Sequence, residues 1–301
     1  QLLSPPFCDP HFHMDATLSY GLPRINQSGT LLEGIALWGE LKPLLTEEAL
    51  VERALVYGDW AVAKGLLAIR SHVDTSDPSL LPVRAMLEVK RRMAPYLDVQ
   101  LVAFPQDGVL RSPGGLDNLK RALDLGVDVV GGIPHFERTM ADGAASVKLL
   151  CELAAERGLP VDMHCDESDD PLSRHIETLA FETQRLGLQG RVNGSHLTSM
   201  HSMDNYYVSK LVPLLREAGV AAEIRLADIA FHALRPHLAR ALLPRRLRRP
   251  RDLRTHGAQR TQGVCPGHGP RVCPRRGGGC PARHENDFLT IRWTLAAALC
   301  L

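Results

Sequence analysis

From Leu2 to about Glu223, short β-rich runs alternate with longer amphipathic stretches. The apolar, Pro-rich stretch from Leu2 to Phe7 leads into Asp9-Pro10-His11-Phe12-His13-Met14-Asp15, which reads as a first strand. Residues 66–73, 99–104, 127–133, 160–164 and 191–196 read as five further strands, and Val220 to Glu223 begins a seventh. Between them, Leu81–Met93, Leu116–Leu125, Ala144–Arg157, Ser173–Leu186 and Asn205–Glu217 carry apolar residues at helical spacing. Several of these segments meet a glycine stop, at Gly126, Gly158, Gly187 and Gly219. Strand–helix units of about 30 residues imply parallel strands joined by right-handed crossovers.

A doubly wound open sheet and a closed (β/α)8 barrel both fit this alternation, and the polar residues choose between them. His11/His13, His72, Gln106, His135, His164/Glu167 and His196 each stand at or just past the C-terminal end of a different strand. In a barrel those ends form one ring around one site, whereas in an open sheet they would be strung along an edge. The expected fold is therefore a TIM-like (β/α) barrel over residues 1–224, incomplete at six to seven units.

Composition leaves that picture intact up to about residue 224 and changes it afterwards. The 301 residues are 45% hydrophobic and 23% charged, ordinary for a soluble globular protein. No apolar run reaches the roughly 18 residues of a membrane span, and the start has no basic-plus-apolar leader pattern. The chain opens inside a strand, which reads as the lack of a natural N-terminus. Seven cysteines are an odd number and too sparse for a disulfide scaffold, so a reducing cytoplasm is expected.

The net charge of +1 hides an asymmetry, because from Ile229 to Leu301 14 arginines face only Asp252, Glu285 and Asp287. A mildly acidic body is thus joined to a strongly basic tail, 225–301, with neither strand nor helix period. The tail lacks the interleaved aromatics of a nucleic-acid arm, so no nucleic-acid partner is expected. Cys265, His268, Cys273 and Cys280 match no paired zinc-knuckle spacing. Disorder is one reading of such Arg/Pro/Gly-rich text, and a shifted reading frame in a GC-rich gene is the favoured one.

The candidate chemistry begins with His11 and His13. Two residues apart on a strand, they share a face at roughly 6.5–7 Å and can converge on one divalent ion. His164, ending the fifth strand, would be a third imidazole. Glu167, three residues on, lies where the chain turns over the barrel mouth and could ferry protons. A metal lowers the pKa of its bound water enough to supply hydroxide near neutral pH. His196 could ligate the metal or hold that hydroxide. The amide of Gln106 donates and accepts together, which suits the edge of a heterocyclic base. Taken singly each residue has a plainer role: a glutamate after a strand is usually a helix-start carboxylate, and a lone histidine caps a loop.

Pro10-His11-Phe12-His13-Met14-Asp15, Asn26 to Ile35, Ala85 to Lys90, Val102 to Gly108, Ile133 to Glu137, His164-Cys165-Asp166-Glu167 and Ser195 to Ser202 together resemble the bacterial cytosine deaminases of the amidohydrolase superfamily. The resemblance runs in the family's order over about residues 2–220. It implies that His11, His13 and His164 bind one divalent metal (Fe2+ or Zn2+), that Gln106 contacts the pyrimidine, that Glu167 shuttles protons and that His196 assists at the metal-bound hydroxide. The implied activity is hydrolysis of cytosine to uracil and ammonia, a step of pyrimidine salvage, with a small nucleobase as substrate, no membrane partner and a homo-oligomeric assembly.

This sequence departs from the family beyond residue 220. The family's fourth ligand is an aspartate in a Gly-His-Asp-Asp stretch, and Gly267-His268-Gly269 offers none. The following tryptophan loop, the last barrel strand and the small β-domain built from the two chain ends are also missing. Two alternatives stand beside cytosine deamination: attack on another cyclic amidine, such as isoguanine or an aminotriazine, and an inactive truncated remnant.

Overall fold

The computed structural model describes residues 5–223. The expectations for residues 225–301, among them the basic tail and its Cys/His set, lie outside the described residues. In chain order the elements are β1 (Phe7–Phe12), α1 (Leu31–Leu41), α2 (Glu47–Ala63), β2 (Leu66–Asp74), α3 (Leu81–Met93), β3 (Asp98–Phe104), α4 (Gly115–Asp124), β4 (Val129–Gly132), α5 (Met140–Arg157), β5 (Val161–Cys165), α6 (His175–Arg185), β6 (Val192–His196), α7 (Asn205–Glu217) and β7 (Ala221–Glu223).

The seven strands form one sheet in sequence order, every neighbouring pair parallel. That order requires each helix to cross over on the same side, as in a (β/α) barrel. The sheet is strongly curled. In a flat sheet, five strand spacings of about 4.8 Å would put β1 and β6 about 24 Å apart. Instead the rings of His11 on β1 and His196 on β6 have centroids 4.7 Å apart. Among the described residues β7 meets no eighth strand, so this is a partial barrel, as the strand-end polar residues led us to expect.

Alternation on the strands separates two environments. Ile69, Val73, Val161, Met163 and Cys165 join the buried apolar layer shared with the helices. Residues of opposite parity, Arg70, His72, Asp162 and His164, meet across the inside of the curl. The four expected glycine stops all have positive φ, Gly158 at +69° as the last cap of α5, a conformation that costs a residue without Cβ little.

Two helices between β1 and β2 were not among the segments picked out by period. In α2 the buried face is Leu50, Val51, Ala54, Gly58 and Ala61, so small residues carry much of it and its apolar stripe is weak. At Gly58 a Cβ would sit 1.9 Å from Met93 Cε, so the Met93 side chain of α3 occupies the space that a larger residue on α2 would take. The boundaries of the expected elements otherwise shift by a few residues. The largest shift is at α5, which starts at Met140 because Thr139 caps it, its side chain accepting from Asp142 N at 3.0 Å.

Candidate metal and proton-transfer site

His11 and His13 project from the same side of β1 and its end, with ring centroids 5.6 Å apart. Phe12 between them points the other way and stacks on Tyr57 at 4.3 Å. The turn after His13 is anchored by Met14 N, which donates to Ser71 Oγ on β2 at 2.9 Å. His164 on β5 brings its Nε2 to 3.2 Å from His13 Nε2. Phe104, at the end of β3, stacks against the His164 ring at 4.1 Å and so limits its rotation.

A fourth imidazole, His72 on β2, completes the cluster. Its ring lies 4.2, 5.3 and 4.6 Å from those of His11, His13 and His164. One ring nitrogen from each of the four lies within 4.8 Å of the others. An ion bound at about 2.0–2.1 Å by imidazoles in tetrahedral array would hold its nitrogens about 3.3 Å apart, close to the His13–His164 spacing. His72 Nδ1 and His164 Nδ1 are buried with no hydrogen-bond partner among the described residues. Burial, followed by the neighbouring histidines, holds His164 well below its ordinary pKa, so its imidazole stays neutral and can donate a lone pair. The donor set fits a borderline-soft divalent ion.

Glu167 and His196 sit beside this cluster. His196 ends β6 with φ +75°, and its ring centroid is 4.7 Å from His11 and 4.8 Å from His164. Its Nδ1 lies 3.6 Å from Glu167 Oε1. Asp166, also at positive φ (+57°), sends its carboxylate the other way, to the start of α6. There it accepts from Ser173 Oγ (2.7 Å), from His175 N and Nδ1 (3.0 and 2.8 Å) and from Ile176 N (2.9 Å). Burial would raise this carboxyl, yet the bonds from His175 and Ser173 hold it below its usual value. The helix has no side-chain cap of its own, so Asp166 supplies one from ten residues back and thereby fixes the turn that presents Glu167. Main-chain bonds from Leu197 N to Cys165 O and from Ser199 N to Asp166 O tie the two loops together.

Gln106 stands half-buried in the loop after β3, two residues past Phe104. Its neighbour Asp107 is fastened by Lys42 Nζ at 2.8 Å, and Lys42 also bridges to Asp74 at 3.0 Å. His135, a member of the expected ring of polar residues, lies behind the site. Its Nδ1 is 3.1 Å from the His164 carbonyl oxygen, and burial lowers its pKa to about 4.

Beneath the histidines lies a polar layer that sequence reasoning missed. Asp162, fully buried, pairs with Arg70 at 2.7 Å and accepts from Asn193 Nδ2 at 3.0 Å and Ser195 Oγ at 2.9 Å. Burial pushes its carboxyl up, but His72 and Arg70 bring it down to about 2. The available signal was parity: Arg70 and His72, and Asp162 and His164, are two apart on their strands.

The Amidohydrolase family profile matches residues 1–249. The chain belongs to the amidohydrolase family. A solved structure, 5-methylcytosine deaminase from Klebsiella pneumoniae liganded with 5-fluorocytosine, is 46% identical with a TM-score of 0.72, over 73% of this chain and 53% of that one. N-isopropylammelide isopropyl amidohydrolase from Pseudomonas sp. (strain ADP) is 29% identical over 225 residues, 73% of this chain and 55% of its own length. Pterin deaminase from Rhizobium rhizogenes is 24% identical over 72% of this chain and 49% of its own. The amidohydrolase chain described here thus spans about half the length of these relatives. No helix among its described residues is long and apolar enough to cross a membrane.

Proposed function

We propose that this chain carries the metal and proton-transfer half of a hydrolytic deaminase acting on a nucleobase, with cytosine or a close pyrimidine as substrate. The observation that carries the reading is the gathering of His11, His13 and His164 from β1 and β5, with the Glu167–His196 pair beside them. These three imidazoles would hold one divalent ion, Fe2+ or Zn2+, which when bound supplies a water acidified toward neutral pH.

The chain's own side chains do the rest. Glu167 takes the proton released as the water oxygen bonds to the amino-bearing ring carbon, and passes it to the adjacent ring nitrogen. It then takes the remaining proton from the hydroxyl added to the ring carbon, as that oxygen becomes the carbonyl, and delivers it to the exocyclic nitrogen as the C–N bond breaks and ammonia leaves. His196, next to Glu167, orients the attacking water by a hydrogen bond. Gln106 reads the edge of the ring by donating and accepting at once. The pyrimidine reading is supported by the 46% identity to a 5-methylcytosine deaminase.

The relatedness to N-isopropylammelide isopropyl amidohydrolase favours a second reading on the same machinery, in which the substrate is an amino-substituted triazine. Ammonia or amine release from the full chain, assayed with added Fe2+ or Zn2+ over cytosine, 5-methylcytosine, isoguanine, a pterin and aminotriazines, decides between them. Release from the pyrimidines is expected. Turnover of triazines alone would transfer the assignment, and no release from any compound would make the chain an inactive remnant.

A further inference from the structure

His72 is the one member of the quartet to which neither the sequence pattern nor the family resemblance gives a role, and its surroundings are those of a ligand. The side chain is 0% exposed, at the centre of the cluster, 4.2 to 5.3 Å from three other imidazoles. Its Nε2 lies 3.4 Å from Oδ1 of Asp162. That carboxylate is itself held rigidly by Arg70, Asn193 and Ser195. Both ring nitrogens are buried without a hydrogen bond among the described residues, Nε2 having only that 3.4 Å approach. Leaving a buried polar nitrogen unsatisfied is costly, so such a group in a native interior calls for a partner. A metal-bound histidine ordinarily gives its second N–H to a carboxylate, which fixes the tautomer and raises the basicity of the ligating nitrogen. Asp162 stands where that carboxylate would be.

We propose that His72, oriented from behind by Asp162, is a fourth imidazole donor to the divalent ion held by His11, His13 and His164. The Asp162 carboxylate accepts from Nε2–H and leaves the Nδ1 lone pair for the ion. His72 would supply this fourth donor from β2, within the described half of the barrel. The inference rests on the metal-centre reading above.

The test is titration of the metal-free 301-residue chain with Co2+, followed by its visible absorption, and with Zn2+ in competition with a chelating indicator. The parent is expected to take up one ion. His72→Gln should weaken Co2+ binding at least 100-fold and alter the visible band. Asp162→Asn, with all four imidazoles kept, should weaken it about 10- to 100-fold. Far-UV circular dichroism and thermal melting check that each variant is folded. His72→Gln with the parent's affinity and spectrum, while His13→Ala binds nothing, would overturn this inference and leave the three-histidine centre standing. A parent that binds no ion would overturn both. Should His72→Gln not fold, the ring nitrogens of the parent decide: a His72 nitrogen resonance unmoved by Zn2+, while that of His164 shifts, refutes the proposal.

Discussion

The Nδ1 of His196 lies 3.6 Å from Oε1 of Glu167, joining the end of β6 to the loop that follows β5. His196 is held in a strained backbone conformation. His196 has a positive φ, and Glu167 follows Asp166, which has one too. Non-glycine residues held in that region cost of order 1–3 kcal/mol and tend to mark functional sites. At His196 the strain accompanies an imidazole placed against Glu167 and the rings of His11 and His164.

This pair predicts that Glu167→Gln removes proton transfer without removing the metal. Metal content measured by atomic emission should equal the parent's, and ammonia release should fall about 10²- to 10⁴-fold, the usual worth of general acid–base help. A metal-free Glu167→Gln protein, or one turning over at the parent rate, would refute the assignment.

Metal should stabilise the fold, because its proposed donors come from β1 and β5, which only the folded chain brings together. At a free Zn2+ concentration 100 times its dissociation constant, the gain is about 2.7 kcal/mol. The thermal midpoint should therefore rise on adding Zn2+, and the rise should vanish on adding a chelator and in His13→Ala. An equal rise in His13→Ala would place the stabilising ion elsewhere.

Thiol labelling reports on the barrel independently of activity. Burial pushes the Cys151 thiol up to about 12 and that of Cys165 well above its ordinary value, whereas Cys8 is exposed. At pH 8 iodoacetamide followed by peptide mass spectrometry should find Cys8 labelled and Cys151 and Cys165 labelled only after denaturation. Early labelling of Cys165 would mean that the layer between β5 and its helices is open.

Gly131 in β4 tests strand packing. A Cβ there would lie 2.4 Å from the Ala103 carbonyl oxygen of β3, an atom that cannot move aside without breaking the ladder. Gly131→Ala should cost about 1–3 kcal/mol, read as a lower urea midpoint with an unchanged slope. An unchanged midpoint would show that β3 and β4 can separate there freely.

Much of the candidate site was legible because its residues obey strand arithmetic. His11 and His13 share a face by period 2, and His164, Glu167 and His196 fall at strand ends, where a barrel collects its chemistry. The helical period likewise marked α3 to α7. It failed for α1, which buries only Leu37 and Leu41, and for α2, where Ala and Gly on the buried face, as at Ala54 and Gly58, blur the apolar stripe that a period search depends on.

By itself, then, the sequence determined the parallel strand–helix alternation, the barrel rather than the open sheet, and the residues carried to its mouth. Only the tertiary structure decided which of them meet. His72 meets His164 and Asp162 reaches Arg70 because the sheet curls, so residues 92 positions apart come within a few ångströms across its interior. That curl accumulates from small rotations between successive strands, a collective property of seven pairings that no local pattern encodes. The same is true of Asp166, whose service as the cap of α6 depends on a loop conformation set by contacts with the end of β6.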